Sequence, residues 1–389
     1  MRRIPDSERR DRLATRHYLA GSAPSLVDAV AGVVGLHASD PSTVYLSARA
    51  RVRDLASRGL ETALYDDRTL VRLWGMRKTL FVTTHYLAAI AHAASPDEFG
   101  AAERRRLAAL LIDQGKTDDA DAWLAGVADA VLEVLEERGQ ATANELRDEI
   151  PEMRETLTFG EGKSWGGTIG VSTRVLFLLA ADGAIMRGRP LGSWVSSQYR
   201  WVPTAAWLGE ALPAMDRDAA RTDLVRRWLE RYGPGTTVDL KWWTGWTVRD
   251  TRTALASAEA VEVELADGPG WVLPGDLEPA EDSKEWVALL PGLDSTVMGW
   301  KERSWYLGHH APILFDRNGN AGPTVWWNGR VVGGWAQSED GEIAFRLLDP
   351  VSREATRMIE TEAHRLESWL DAVRVTPRFR TPLEQELAS

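Results

Sequence analysis

Cysteine is absent from the 389 residues. Disulfides, thiolate-bound zinc, iron–sulfur clusters and a cysteine nucleophile are therefore excluded. The chain also lacks the run of about 18 apolar residues that a membrane-crossing helix needs. The basic start Met1-Arg2-Arg3 has no apolar stretch behind it, so no secretory leader is expected. A cytoplasmic protein is the expectation, nucleoid-associated in a bacterium. Positive charge is in deficit, with 46 Lys and Arg against 57 Asp and Glu and a formal net charge of −11. DNA binders usually leave a basic footprint, so the average charge speaks against nucleic acid. Common catalytic signatures are missing: GxGxxG and HExxH do not occur, and the seven histidines show no zinc-site spacing. No metal and no cofactor are expected. Gly162-Lys163-Ser164 has the look of a phosphate loop's end, but Leu157 stands where that motif requires glycine.

What is present is a repeating pattern. The length suggests two or three domains at about 100–200 residues each. Periodicity predicts helices over 9–18, 26–34 and 41–52 and a short one at 60–64. Two β-rich runs, 70–74 and 79–83, then flank Gly75-Met76-Arg77-Lys78 as a hairpin. Asp129, Val131, Leu135, Glu136 and Gly139 match Asp223, Val225, Leu229, Glu230 and Gly233 at one offset, and Thr142 and Leu146 match Thr236 and Leu240. This spacing reads as a helix stopped by a C-cap glycine, followed by a Thr-capped second helix. Each copy continues with a third helix (167–181 and 248–257) and a hairpin (183–202 and 261–273). The expected fold class is α+β, with three tandem winged-helix domains: 1–115, 116–212 and 213–280. A C-terminal β-rich segment with a closing helix at 351–370 fills 281–389.

Two stretches carry chemistry. The hairpin at 183–202 has no acidic residue, holds Arg187, Arg189 and Arg200, and interleaves them with Trp194, Tyr199 and Trp201. Arginines there can neutralise phosphates, and aromatics can stack or wedge. The other reading is a solvated hairpin with aromatics packed beneath it. Arg77 and Lys78 on the first hairpin point toward DNA in the same way, as do Arg72 and Arg49, Arg51 and Arg53, the last three also readable as a solvated helix face. The second stretch is Gly35-Leu36-His37-Ala38-Ser39-Asp40-Pro41. In an extended linker His37 and Ser39 share one side, where they could hold and orient a water. The other reading is a Ser39 or Asp40 helix cap with His37 bonded to the backbone.

The chain resembles the winged-helix family of the AlkZ-like and YcaQ-like DNA glycosylases. The resemblance rests on 35–41, on Leu73-Trp74-Gly75-Met76-Arg77-Lys78-Thr79-Leu80-Phe81, and on Ser197-Gln198-Tyr199-Arg200-Trp201-Val202-Pro203. Residues 233–245, with Asp239 and Trp242-Trp243, add to it, as do Leu289-Leu290-Pro291-Gly292-Leu293-Asp294 and 329–335. It implies domains around a concave, DNA-sized cleft and removal of bulky alkylated purines, in some members from interstrand crosslinks. The family's catalytic element is Gln–aliphatic–Gln or Gln–aliphatic–Asp. Here it is His37-Ala38-Ser39, so both polar positions differ.

The chemistry tolerates that change. A cationic N7-alkylguanine leaves as a neutral base without a strong general acid, and what remains is to place water against the sugar C1′. No lysine stands in the motif to form a Schiff base, so a monofunctional enzyme is expected. The resulting expectation is catalysis by His37 and Ser39 and DNA contact through Arg77, Lys78, Arg187, Arg189, Arg200 and Trp194. The partner is damaged double-stranded DNA, and the protein is a monomer. The alternatives are a DNA-binding protein without catalysis and an interaction scaffold. The DNA reading narrows the charge objection to a forecast: an acidic exterior, one non-acidic cleft and weak affinity for undamaged DNA.

Overall fold

The computed structural model describes residues 1–95, 98–163 and 166–389. Ser164 of the phosphate-loop-like tripeptide lies outside them. The chain begins with α1 (Asp6–Arg16), which starts before the apolar pattern does because Pro5 sets an extended entry and Asp6 and Glu8 favour the first turn. Ser25 caps α2 (Leu26–Ala31) through the Asp28 amide. A two-residue strand, β1 (Leu36–His37), leads into α3 (Pro41–Arg49), whose cap is Asp40. After α4 (Ser57–Glu61), β2 (Leu70–Trp74) and β3 (Leu80–Thr84) form the expected hairpin, and β3 lies between β1 and β2. Next come α5 (His85–Ala94) and α6 (Glu98–Asp113).

The same path is then repeated. It runs through α7 (Ala120–Arg138), β4 (Ala141–Thr142), α8 (Ala143–Glu149) and, after an inserted hairpin of β5 (Thr156–Phe159) and β6 (Gly167–Gly170), α9 (Val171–Ala181). The hairpin of β7 (Ile185–Pro190) and β8 (Tyr199–Pro203) follows, with β8 between β4 and β7, and α10 (Thr204–Leu208) closes the section. A third pass uses α11 (Arg217–Tyr232), α12 (Thr237–Thr244), α13 (Val248–Ser257), β9 (Val261–Leu265) and β10 (Gly268–Val272). Here a single bridge from Gly235 to Trp271 stands in for the first strand.

Thr142 and Thr236 both complete capping boxes, with Glu145 and Asp239 respectively. Both glycines before them cap their helices as the repeat predicts, but Gly139 is left-handed at φ 74, whereas Gly233 is extended at φ −67. Residues 167–170, expected as the start of a helix, are a strand paired with 156–159.

The C-terminal part holds β11 (Val287–Leu290), the short helices α14 (Ser304–Leu307) and α15 (Ala311–Leu314), β12 (Thr324–Trp327), β13 (Arg330–Gln337) and β14 (Ile343–Leu347). Then come α16 (Arg353–Leu370) and α17 (Pro382–Ala388). Its four strands form a sheet in chain order. One apolar core joins this sheet to the first and third passes, and a second core, from Leu107 to Trp201, belongs to the middle pass. Tyr232 of α11 shows how tightly the first core is knit. Its ring meets Trp228, His17 and Trp300, and its hydroxyl donates to the Val33 carbonyl at 2.8 Å, directly before the 35–41 linker.

Candidate active site

The 35–41 linker is gripped along both edges. Gly35 leaves α2 at φ 108, a conformation that a side chain would strain. Leu36 then pairs with Val82 and His37 with Phe81, and the Ala38 amide donates to the Leu80 carbonyl at 2.7 Å. On the other edge the Ser295 hydroxyl donates to the Gly35 carbonyl at 2.8 Å and accepts from the His37 amide at 3.1 Å. His37 is only 4% exposed and its ring packs 5.3 Å from that of Phe81, while Ser39 is half-buried. Burial, helped by the charge of Arg77 and opposed by Asp294, pushes the His37 pKa down to about 3. The ring is therefore neutral at physiological pH. Its Nδ1 accepts from the Ser39 amide at 3.5 Å, which leaves the proton on Nε2.

Beneath the linker lies a fully buried ion pair. Arg51 grips Asp294 with two bonds, of 2.7 and 2.9 Å, and the Ser47 hydroxyl and Thr296 amide also donate to that carboxylate. Burial alone would raise the Asp294 pKa, but Arg51 and these donors hold it below the usual carboxylate range. Thr296 Oγ1 accepts from Arg51 and lies 2.8 Å from His17 Nδ1, and His17 Nε2 lies 3.1 Å from the Arg231 carbonyl. Asp294 was visible in the sequence as part of a matching stretch. Its role, and that of Ser295, were not, since their partners lie some 250 residues earlier. Arg51 corrects the expectation of a DNA-leaning or solvated arginine. Arg49 does so as well, because it is paired with Glu362.

The expected DNA contacts fall into separate groups. Arg77 and Lys78 form the tip of the first hairpin, both left-handed, at φ 53 and 57, and the Arg77 guanidinium lies 3.7 Å from the centre of the Trp242 ring. Arg187 rests on Tyr199 and Trp201. Its pKa is pushed down to about 10 by burial, with Arg72 and Arg378 adding to the shift and Tyr199 opposing it. Among the described residues it has no carboxylate partner. Arg189 does have partners: Asp66 at 2.6 Å and Glu61 at 3.6 Å consume its charge. Arg200 is half-buried on β8. Trp194 is 6% exposed and stacks on Tyr45 at 4.6 Å, with Trp369 beyond, and Tyr199 and Trp201 are buried too. These rings fill the core in place of the surface stacking platform that the hairpin's composition suggests.

One contact was not foreseen. Arg378, from the segment after α16, donates to the Ser39 carbonyl at 3.3 Å, and its amide donates to Asp40 at 2.8 Å. The linker thus has Arg77 acting on His37 and Arg378 bonded to Ser39. Among the described residues, no group of three or more His, Asp or Glu is placed to hold a metal ion, and no helix is long and apolar enough to cross a membrane.

The family described as DNA glycosylase AlkZ-like matches residues 30–369, and the chain belongs to that family. Membership supports DNA glycosylase function and DNA as the partner. The solved structure of the Streptomyces sahachiroi DNA glycosylase AlkZ shares the fold, with a TM-score of 0.71 and 20% identity over 97% of this chain and 100% of that one. No curated protein matches the sequence.

Proposed function

We propose that this protein is a monofunctional DNA glycosylase that hydrolyses the N-glycosidic bond of bulky N7-alkylated purines in duplex DNA, interstrand crosslinks among them. In this reading the three passes of helix, helix, helix and hairpin are winged-helix domains, with the 281–389 segment completing the wall of a DNA cleft. The observation that carries the reading is that the His37–Ser39 linker, inside the family match, is fixed along both edges, with Arg77 acting on His37 and Arg378 bonded to Ser39.

The environment of His37 sharpens the mechanism. A ring neutral down to about pH 3 is a poor base. His37 acts as an orienting donor through Nε2–H, and Ser39 Oγ accepts a proton of the same water. The water oxygen bonds to C1′ as the C1′–N9 bond breaks, and the bond's electron pair neutralises the cationic base. The water's surplus proton passes to solvent. In a dry, preorganised site such fixed dipoles substitute for a strong acid or base.

The test is release of abasic sites from duplexes carrying N7-alkylguanine or a bulky adduct. His37→Ala/Ser39→Ala is expected to lower single-turnover rates about 100- to 1,000-fold, the usual effect of removing positioned dipoles. Full activity in that variant would overturn the mechanism. Release from no adduct would favour a DNA-binding protein without catalysis, a reading suggested by the near-complete burial of His37.

The ion pairs also separate the arginines of the second hairpin. Arg187→Gln is expected to reduce the slope of log affinity against log salt by about one, the effect of one lost phosphate contact. Arg189→Gln should leave the slope unchanged, because its charge is already met by Asp66 and Glu61. Equal effects of the two variants would refute this assignment.

A further inference from the structure

Around Tyr199 stands a cluster of polar groups that the protein does not match. Arg72 on β2 is 2% exposed, yet its Nε and Nη1 meet no hydrogen-bond partner. The hydroxyls of Tyr45, Tyr65 and Tyr199 and the Nε of Arg187 are buried and equally unmatched. Buried polar atoms are nearly always paired, and each orphan costs stability. Here they lie together. The guanidinium carbons of Arg72 and Arg187 stand 4.7 and 5.2 Å from the centre of the Tyr199 ring. Tyr65 and Tyr45 are near enough to Arg72 to act on its charge.

The cluster also carries uncompensated positive charge. Burial pulls the Arg72 pKa down, but Tyr65, Tyr199 and Tyr45 outweigh it, so the guanidinium stays charged. Burial pushes the Tyr45 and Tyr65 hydroxyls up, so neither ionises to serve as a counter-ion. Glu61 acts on Tyr45, but Glu61 and Asp66 are both paired with Arg189. Among the described residues no carboxylate pairs with Arg72 or Arg187. Arg378, bonded to the Ser39 carbonyl, is a further cation whose charge reaches Arg187. Burying cations without an anion is costly.

The donor set defines what would complete it. Two guanidinium forks and a phenolic hydroxyl call for an acceptor with several oxygens, and a guanidinium fork matches phosphate oxygens two at a time. Arg187 is half-buried, whereas Arg72 and the three tyrosines are buried, so Arg187 is the outward end. We propose that Arg72, Arg187 and the Tyr199 hydroxyl bind one phosphate-class oxyanion, either a backbone phosphate of DNA or free inorganic phosphate. The inference does not need base release and stands apart from the glycosylase reading.

Inorganic phosphate is the probe, titrated into the full chain by calorimetry at constant pH and ionic strength, with chloride as the balancing anion. The wild-type protein should bind one phosphate with a Kd on the order of 1 mM or tighter, the worth of two charge-assisted hydrogen bonds. Arg72→Met and Arg187→Gln should each weaken it about tenfold or more, the loss of one such bond. Tyr199→Phe, which removes only the hydroxyl, should weaken it about threefold to tenfold. Circular dichroism checks folding, and the half-buried Arg187 and the conservative Tyr199→Phe keep the test decisive should Arg72→Met not fold. Competition with a short undamaged duplex separates the sources. Displacement by phosphate marks the DNA backbone, and duplex binding indifferent to phosphate marks the free anion. No binding by the wild-type protein at about 10 mM phosphate, or an unchanged Kd in both Arg187→Gln and Tyr199→Phe, overturns the proposal. Base release from adducted DNA by a protein that binds no phosphate would sink this inference alone. Phosphate binding without base release from any adduct would leave it standing and sink the glycosylase reading.

Discussion

Asp294→Ala is expected to lower the free energy of unfolding by about 3–5 kcal/mol, the cost of stranding one charge of a buried pair. Arg51 has nowhere else to place its charge. Among the described residues its other acceptors are the Ser47 carbonyl and Thr296 Oγ1, and its Nε lacks a partner. The substitution also removes the acceptor for the Ser47 hydroxyl and the Thr296 amide, both buried, and each unsatisfied group adds to the cost. The loss should be read from urea unfolding curves with an unchanged slope. A double variant, Arg51→Met/Asp294→Leu, should recover much of it, because an apolar pair of similar volume removes the stranded charge. A loss below about 1 kcal/mol in Asp294→Ala would show that Arg51 does not depend on this carboxylate. The consequence reaches the site through the next residue, since Ser295 holds the Gly35–His37 edge of the linker. Adducted DNA should therefore be processed more slowly even at temperatures where the variant remains folded.

What could be read in the sequence was local. The Thr142 and Thr236 caps follow from a side chain bonding a backbone amide three residues on, and both capping boxes close as the residue types suggest. The hairpin at 70–84 was legible from its alternation and its glycine-containing turn. The failures are non-local. Residues 167–170 look helical until Thr156–Phe159 offers them a strand to pair with. Gly233 caps α11 as expected but in an extended conformation, not the left-handed one usual for such a glycine. Charges mislead for the same reason: Arg49, Arg51 and Arg189 read as open cations, and each is claimed by an acid far away in sequence. Arg378 stands 339 residues from the Ser39 carbonyl to which it donates, so nothing in its own neighbourhood marked it. Trp194 sits in a basic hairpin, but its burial is decided by Tyr45 and Trp369.

Lowering the pH from 6.5 to 5 is expected to cost about 3 kcal/mol of stability through two buried histidines. Burial pushes both His17 and His37 down to about 3, with Arg51 adding to the shift at His17 and Arg77 at His37. In the unfolded chain each returns to about 6.5. Between these values the unfolded state binds more protons than the native one, so stability falls as pH falls. The effect is absent above about pH 6.5, where both states are neutral, and complete near pH 3, where the native rings protonate as well. Inside the window each histidine contributes up to about 1.4 kcal/mol per pH unit. His92, also lowered by burial, adds in the same direction. Carboxylates with lowered native pKa values, Asp294 among them, work in the same sense only at pH values near and below their ordinary range. The decline above pH 5 therefore belongs to the histidines. Chemical unfolding at pH 7, 6 and 5 measures it, and His17→Gln should remove about half of the decline, whatever it costs at pH 7. The hydrogen bonds suit this account: Thr296 Oγ1, which accepts from Arg51, is free to donate to Nδ1, and Nε2–H donates to the Arg231 carbonyl, so the neutral ring is satisfied at both nitrogens. Stability that stays flat from pH 7 to 5, or a slope unchanged in His17→Gln, would show that His17 protonates in place and that the network beneath the linker is open to water.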